Sequence, residues 1–330
     1  MRDEGGRHAR AEPLFLHNQS LRLLLFGGKG GVGKTVMAGT AALWAAREGK
    51  KTLLASTNPV HSLSNLVGQD VFGKPVQICD EERCFAFEID TKDTIERSKQ
   101  EIREKINWFL KFSDITTKAD EFIESATMNP AFEESAMFEN MTELMFKNEY
   151  DFYVFDTAPT ANARRLLGMS KVYSLWIEKM LKSREEAKSL RELLSFTKKK
   201  EGDPLMDYLL TFKDKMAHAQ QLLTDKELTS FFFCTLPESL PIAVITRFIN
   251  WFHDFGIPVG CVIVNGIIQK QQVTDDTVDF VKNRISMQEE HMEEIWKLFG
   301  PQVRAIIPLF ETEVKGGAML RRMMDYLFAS

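Results

Sequence analysis

The chain has few cysteines and none of the spacings that usually bind zinc. Its 330 residues include four cysteines, with neither a C-x-x-C pair nor a cluster of cysteine with histidine, so no structural zinc site is expected. Cys234 and Cys261 lie inside apolar, strand-like runs, which is typical of small core residues. Cys79 and Cys84 lie five residues apart, near the start of a predicted strand. This usage fits a reducing compartment.

Long apolar runs and a positive net charge are also missing. No uninterrupted apolar stretch reaches about 18 residues, so the chain is not expected to be an integral membrane protein. Residues 1–19 are polar and lack the apolar centre of a signal peptide, which indicates a flexible leader on a cytoplasmic protein. The formal charge of −5 does not favour general binding of nucleic acid.

A glycine-rich run from Gly28 to Thr35 carries the clearest chemistry. It reads G-K-G-G-V-G-K-T, and it follows an apolar run and precedes a helix-like segment. This is the context of the phosphate-binding loop G-x-x-x-x-G-K-[ST], in which backbone N–H groups and the helix start face an anion. Lys34 would supply a point charge for the outer phosphates, and the Thr35 hydroxyl can ligate Mg²⁺. The predicted ATP-binding residues in this run are Gly28, Lys29, Gly30, Gly31, Val32, Gly33, Lys34, Thr35 and Val36.

Apolar, strand-like runs alternate with helical patterns along the rest of the chain. This predicts an α/β P-loop NTPase fold, with a mostly parallel buried sheet flanked by helices. We expect one ATPase domain over residues 20–330, with a helical subdomain formed by segments near 94–147 and 170–228. The phosphate-loop motif occurs once and no internal repeat is present, which indicates a single ATPase unit.

An apolar seam runs along the last predicted helix of this subdomain, with its members alternately four and three residues apart. The spacing by itself fits an ordinary helical layer on the sheet. Its first four members are Leu205, Leu209, Phe212 and Met216.

Three motifs together resemble one family of ATPases. Lys29 adds a second lysine to the loop, as in the deviant P-loop ATPases related to MinD and ParA. The run from Ser56 to Ser64 resembles S-T-D-P-A-H-S-L-S, the first switch of the ArsA family, and the run from Asp156 resembles its second switch, D-T-A-P-T. The chain is therefore identified as a single-unit member of the ArsA family, which contains arsenite-pump ATPases and the ATPases that target tail-anchored membrane proteins.

The resemblance implies roles for particular residues around the phosphates. It implies a nucleotide-sandwich homodimer in which Lys29 reaches the partner's nucleotide, with Asp156 holding Mg²⁺ through water. Asn58 stands where the family has the aspartate that positions or activates the attacking water, so slow turnover is expected. The catalytic set implied by the resemblance is Lys29, Lys34, Asn58 and Asp156.

The resemblance also implies contacts outside the phosphate site. Glu238 would face the nucleotide, Asn265 would read the adenine edge, and Pro308 and Phe310 belong to a loop that would enclose adenine. The two cysteine positions of the zinc-bearing relatives are occupied here by Val278 and Val281, which cannot bind zinc. The zinc that staples those dimers is therefore not expected here.

The expected function is an ATPase with ATP and Mg²⁺ as cofactors, which couples ATP binding to capture or targeting of a hydrophobic, tail-anchored-like client. Two alternatives stay open. The first is the catalytic subunit of an arsenite efflux pump with a membrane partner, which would need thiolate ligands because As(III) is thiophilic. The second is a nucleotide-dependent scaffold with little turnover, which Asn58 favours. In the family, helices near the apolar seam build the client groove.

Overall fold

The computed structural model describes residue 18 and residues 20–56, 62–112, 140–141, 143–156, 204–270 and 277–328. The chain divides into two compact units. The first takes in the described parts of residues 1–90, 147–160 and 223–330, and the second takes in those of 91–146 and 161–222. The predicted leader, apart from Asn18, lies outside the described residues.

The first unit is built on a sheet whose strands run in the order β3-β4-β2-β5-β1-β6-β7-β8. Neighbouring strands are parallel except β3, which is antiparallel to β4. This confirms the predicted α/β fold with a mostly parallel sheet. The strands are β1 (Leu23–Gly27), β2 (Thr52–Ser56), β3 (Val76–Gln77), β4 (Cys84–Glu88), β5 (Phe152–Asp156), β6 (Thr229–Thr235), β7 (Val259–Ile267) and β8 (Val303–Pro308).

Helices cover both faces of this sheet, and for that reason β1, β2, β5 and β6 are buried along their whole length. On one face, α1 packs against the sheet and α7 packs against α1, where the rings of Trp44 and Phe328 lie 5.0 Å apart. On the other face, Phe252 of α5 contacts Phe231 and Phe233 edge to face. The helices are α1 (Lys34–Arg47), α2 (Ser62–Val67), α3 (Thr91–Phe112), α4 (Pro204–Thr224), α5 (Ser239–Asp254), α6 (Asp279–Phe299) and α7 (Gly316–Leu327).

The strand order changes direction at β1. After β1 the chain moves through α1 to β2 on one side, whereas β6, β7 and β8 follow each other on the other side. In open parallel sheets, ligands bind at the carboxyl ends of the strands where the order reverses. The run Gly28–Gly33 lies at this position, directly after β1 and before α1.

The second unit is described mainly through α3 and α4. In this unit, the Phe146 and His218 rings stack 4.7 Å apart, and Met141 and Met145 are buried. The helical subdomain stays a prediction, because much of its second segment lies outside the described residues.

Helix α4 begins at a proline, which suits the first turn of a helix because that turn needs no backbone donor there. It contains the predicted apolar seam. The last two members of the seam, Ala219 and Leu223, are buried. The side chains of Leu205, Leu209, Phe212 and Met216 lie outside the description.

Some local features of the structure are not visible in the sequence pattern. Strand β7 continues past Val264 through Asn265 and Gly266 to Ile267. A register shift against β8 and a positive φ of 74° at Gly266 accommodate the irregularity, so the strand is not interrupted. The short elements α2 and β3 were not predicted, because six and two residues carry too little periodicity.

Candidate active site

The phosphate loop depends on glycine at two close approaches. Gly28 has φ +140°, and a Cβ there would lie closer than 3.0 Å to the backbone oxygen of Cys234 in β6. Gly33 has φ +97°, and a Cβ there would meet the Asn265 side chain at a similarly short distance. Other residues rarely adopt such φ values. The loop therefore packs tightly against the ends of β6 and β7.

Lys34 opens α1 and turns back over the loop. Gly33 adopts the left-handed conformation at the helix N-cap, so the chain leaves the loop and enters α1 without a break. The Lys34 ammonium donates a hydrogen bond of 3.1 Å to the Lys29 carbonyl oxygen. This contact holds a positive charge above backbone N–H groups at a helix start, which is the arrangement that binds phosphate.

Thr35 and Asp156 meet beside the loop. The Thr35 hydroxyl donates a 2.7 Å hydrogen bond to Asp156 Oδ2, and the Ser56 hydroxyl donates to the same oxygen at 3.4 Å. Asp156 ends β5 and is 2% exposed. Burial raises the pKa of this carboxyl, while the hydrogen bonds from Thr35 and Ser56 and the charge of Lys34 act in the opposite direction. A cation bound here would relieve the cost of burying the carboxylate.

Asn265 ties the end of β7 to the phosphate loop. Its amide nitrogen donates a 3.0 Å hydrogen bond to the Val32 carbonyl oxygen, and the Val32 side chain is completely buried. Val32 therefore supports the loop from inside. Contact of Asn265 with adenine stays a prediction. In this structure its amide nitrogen donates to the phosphate loop instead.

Glu238 follows β6 and forms an ion pair with α6. Its carboxylate lies 3.0 Å from Arg284 Nη2, and both side chains are partly exposed. Contact of Glu238 with nucleotide stays a prediction. Nearby, both ends of the Gln288 amide bond the backbone of Ile268, accepting from its N–H at 2.8 Å and donating to its carbonyl at 3.1 Å. The Arg284–Glu238 ion pair joins α6 to the segment after β6, and the Gln288 hydrogen bonds join it to the end of β7.

The predicted adenine loop begins at Pro308, the last residue of β8. The Leu309 N–H donates a 2.8 Å hydrogen bond to the Ile267 carbonyl, which joins the loop to β7. The Phe310 ring packs edge to face on Tyr326, and the Arg322 guanidinium lies 4.9 Å from its centroid. Helix α7 therefore holds Phe310 in place, and its contact with adenine stays a prediction.

The structure brings together Lys34, Thr35 and Asp156 of the predicted phosphate and Mg²⁺ site. Asn58 lies outside the described residues. Within the described parts of the chain, the Lys29 ammonium has no hydrogen-bond or salt-bridge partner. Among those residues there is also no group of three histidine, cysteine or acidic side chains that could hold a metal ion.

Two side chains at this edge of the sheet were not predicted from the sequence. The structure adds Ser56, whose hydroxyl reaches Asp156, and Glu88, a buried carboxylate at the end of β4. Only the parallel register of β2, β4 and β5 places Ser56 beside Asp156 and Glu88 one strand further along the same edge.

Comparison with known proteins points to one family. The model of a family described as Anion-transporting ATPase matches residues 21–329. A Paramecium tetraurelia protein named ATPase ASNA1 homolog 2 is 28% identical over 318 residues, spanning 94% of this chain and 95% of the relative. Putative arsenical pump-driving ATPase 2 of Aquifex aeolicus is 28% identical over 310 residues, with 93% and 99% covered.

A plant relative extends the comparison. ATPase GET3B of Arabidopsis thaliana is 27% identical over 328 residues, which span 92% of this chain and 78% of the relative. The family model runs from just before β1 to just past the end of α7, so it includes the phosphate loop, the Thr35–Asp156 pair and the loop after β8. The resemblance inferred from the motifs is confirmed, and the chain belongs to the ArsA family of anion-transporting ATPases.

Proposed function

We propose that this chain is a dimer-forming ATPase that binds Mg·ATP at the Gly28–Thr35 loop and uses the bound nucleotide to capture a hydrophobic protein segment. The observation that carries the nucleotide site is the 2.7 Å hydrogen bond between Thr35 and buried Asp156, beside the Lys34 ammonium. Hydroxyl, carboxylate and ammonium thus lie together at the carboxyl ends of β1 and β5. This set of groups suits a triphosphate with its metal ion.

The Thr35–Asp156 pair fits Mg²⁺ by its chemistry. Mg²⁺ prefers oxygen ligands and keeps several waters, so one hydroxyl and one carboxylate that acts through water are enough protein donors. Asp156 is buried among hydrogen-bond donors, and a divalent cation would balance its charge. Bound there, Mg²⁺ would neutralise charge that develops on the phosphates. Lys34 and the loop N–H groups would orient the same phosphates.

Hydrolysis requires an ordered water, and Asn58 stands where the family has a carboxylate for it. An amide cannot take up a proton near neutral pH, whereas a carboxylate can accept one or orient water through its charge. We therefore expect binding of Mg·ATP to be intact and turnover to be slow. A long-lived ATP state would favour the closed dimer over rapid cycling.

Dimer formation is supported by Lys29. Its ammonium has no hydrogen-bond or ion-pair partner among the described residues, although it stands on the phosphate loop. A cation in this place could reach a second nucleotide across an interface, in agreement with the family resemblance. We propose that ATP joins two copies in this way and that no zinc is needed.

The client is proposed to be apolar protein rather than arsenite. A soft As(III) ligand set needs thiolates. Cys84, Cys234 and Cys261 are buried and Cys79 is half-buried, and burial raises the pKa of each of these thiols. The names of the relatives include both arsenical pump-driving ATPases and GET3 ATPases. The burial and raised pKa of the thiols favour a role like that of the GET3 ATPases over arsenite binding for this chain. We also propose that it acts in the cytoplasm.

The experiment is capture of a fluorescent peptide that carries one apolar helix of about 20 residues. We expect the wild-type chain to bind it more tightly with Mg·ATP than without. Phe212→Asp should weaken capture and leave ATP binding unchanged. Ala217→Asp places the same charge at an exposed position of α4 and should behave like the wild type.

Other results would favour the alternatives. Equal capture with and without ATP, or equal effects of the two substitutions, would contradict the client proposal. Arsenite that stimulates turnover, with loss of the stimulation in Cys79→Ser, would favour the pump.

A further inference from the structure

Glu88 is a buried carboxylate that the mechanism above does not use. It is the last residue of β4, and only 1% of it is exposed. Burying a charge is costly unless it receives hydrogen bonds, and an apolar residue would fill the same space without that cost. The contacts of this carboxylate therefore need an explanation.

The Glu88 side chain bonds the start of helix α2. Its Oε1 accepts a 2.7 Å hydrogen bond from the Leu63 N–H, and its Oε2 accepts one of 2.5 Å from the Ser64 hydroxyl. The Ser64 oxygen in turn accepts a 3.2 Å hydrogen bond from the Val71 N–H. The carboxylate thus supplies an acceptor for a first-turn N–H that has no partner within its own helix.

The Glu88 backbone bonds the segment that follows α2. Its N–H donates to the Val71 carbonyl at 2.8 Å, and its carbonyl accepts from the Gly73 N–H at 3.0 Å. Side chain and backbone together attach both ends of residues 63–73 to one residue of the sheet. Movement of α2 would have to break several of these hydrogen bonds.

The position of Glu88 in the sheet connects it to the phosphate site. Ser56 is the register partner of Glu88 on one side and of Asp156 on the other. Residues in register point to the same face of a sheet, and two strand spacings place Glu88 and Asp156 roughly 10 Å apart. This is the face covered by α1, whose first turn holds Thr35.

We propose that Glu88 is a positioning residue of the ATPase reaction: its carboxylate fixes the first turn of α2 beside the strand ends that carry Ser56 and Asp156. The chain leaves β2 after Ser56 and helix α2 begins at Ser62, so this contact fixes where α2 begins. Residue 58 belongs to the connection between them. The inference rests on the proposed hydrolysis of ATP at this site.

The test compares Glu88→Gln with the wild type. Glutamine keeps the size and one acceptor, but its NH₂ group cannot accept the proton of the Ser64 hydroxyl. We expect single-turnover hydrolysis of Mg·ATP to slow by roughly 10- to 100-fold, which is the effect of small misplacements near reacting groups. Affinity for Mg·ATP, measured by calorimetry, should stay within about threefold.

Two further variants control for folding and charge. Glu82→Gln makes the same change at an exposed position just before β4 and should leave the rate unchanged. Ser64→Ala removes the half-buried hydroxyl that donates to Glu88 and accepts from the Val71 N–H, leaves the Leu63 contact in place, and should slow hydrolysis by a smaller factor. If Glu88→Gln does not fold, Ser64→Ala decides the matter by the same two measurements.

A double-mutant cycle gives a readout that a merely structural role would not change. If Glu88 acts by positioning, the rate gained by Asn58→Asp should be several-fold smaller when Glu88→Gln is also present, because the two changes then act on one arrangement. Hydrogen exchange should also become faster in residues 63–73 of Glu88→Gln.

Three outcomes would overturn the proposal: an unchanged rate, equal losses of affinity and rate, or independent effects in the cycle. Absence of ATP binding in the wild type would instead refute the proposed function itself, so the two failures can be told apart.

Discussion

Three alanine substitutions in the phosphate loop should differ in stability because the structure gives each glycine a different constraint. Gly30 has no positive φ and nothing within 4 Å of an added Cβ. Gly31 has the same open space but φ +82°. Gly28 combines φ +140° with a Cβ position closer than 3.0 Å to the backbone oxygen of Cys234. The series therefore separates backbone strain from steric overlap.

The magnitudes follow from these constraints. Gly30→Ala should be neutral or stabilise by up to about 1 kcal/mol, since alanine restricts the unfolded chain. Gly31→Ala should lower the free energy of unfolding by about 1–3 kcal/mol through strain at positive φ. Gly28→Ala should add an overpacking cost of about 1–3 kcal/mol to a similar strain, because a backbone oxygen cannot rotate away.

The assay is urea denaturation of the three variants and the wild type, compared at a common slope of the unfolding free energy against urea. The predicted order of stability is Gly30→Ala, then Gly31→Ala, then Gly28→Ala. Equal midpoints for Gly28→Ala and Gly30→Ala would refute the described loop geometry.

Three other predictions concern turnover, assembly and the thiols. Asn58→Asp should raise the single-turnover rate of ATP hydrolysis at least about tenfold, since general-base help is typically about 10²–10⁴-fold. If the wild type already hydrolyses ATP fast and Asn58→Asp has the same rate, another residue positions the water. ATP should shift the chain towards a dimer in light scattering, Lys29→Ala should weaken that shift, and stoichiometric zinc in the purified protein would contradict the zinc-free dimer. In the folded protein only Cys79 should react with a thiol reagent at about pH 8, and it should react slowly because burial raises its pKa. The other three thiols should react only after unfolding. Fast labelling of Cys234 in the folded protein would contradict the described core, because burial raises the pKa of this thiol to about 12.

The sequence predicted the fold well where long, buried segments alternate. Runs such as Leu23 to Phe26 and Phe152 to Phe155 are apolar throughout because helices cover both faces of the sheet, and this pattern is visible without a structure. The phosphate loop was equally predictable, since its glycines are required by close approaches within a fixed motif.

Partners across the sheet could not be predicted in the same way. Glu88 lies 68 residues before Asp156 in the chain, and only the strand order β4-β2-β5 brings them to one edge. The hydrogen bonds of Glu88 to Leu63 and Ser64 depend on α2, which is too short to show a helical period. The contact between Glu238 and Arg284 likewise depends on where α6 packs.

The most direct test of the account is calorimetric titration of Mg·ATP into the wild type, Lys34→Ala and Lys50→Ala. Both lysines donate a hydrogen bond to a backbone oxygen, Lys34 to Lys29 at the carboxyl ends of the strands and Lys50 to Leu21 at their opposite ends. Hydrogen bonds to charged groups contribute about 1.5–3 kcal/mol, so Lys34→Ala should weaken binding by roughly 10- to 150-fold. Lys50→Ala should bind like the wild type. Unchanged affinity in Lys34→Ala, or an equal loss in both variants, would contradict nucleotide binding at the Gly28–Thr35 loop.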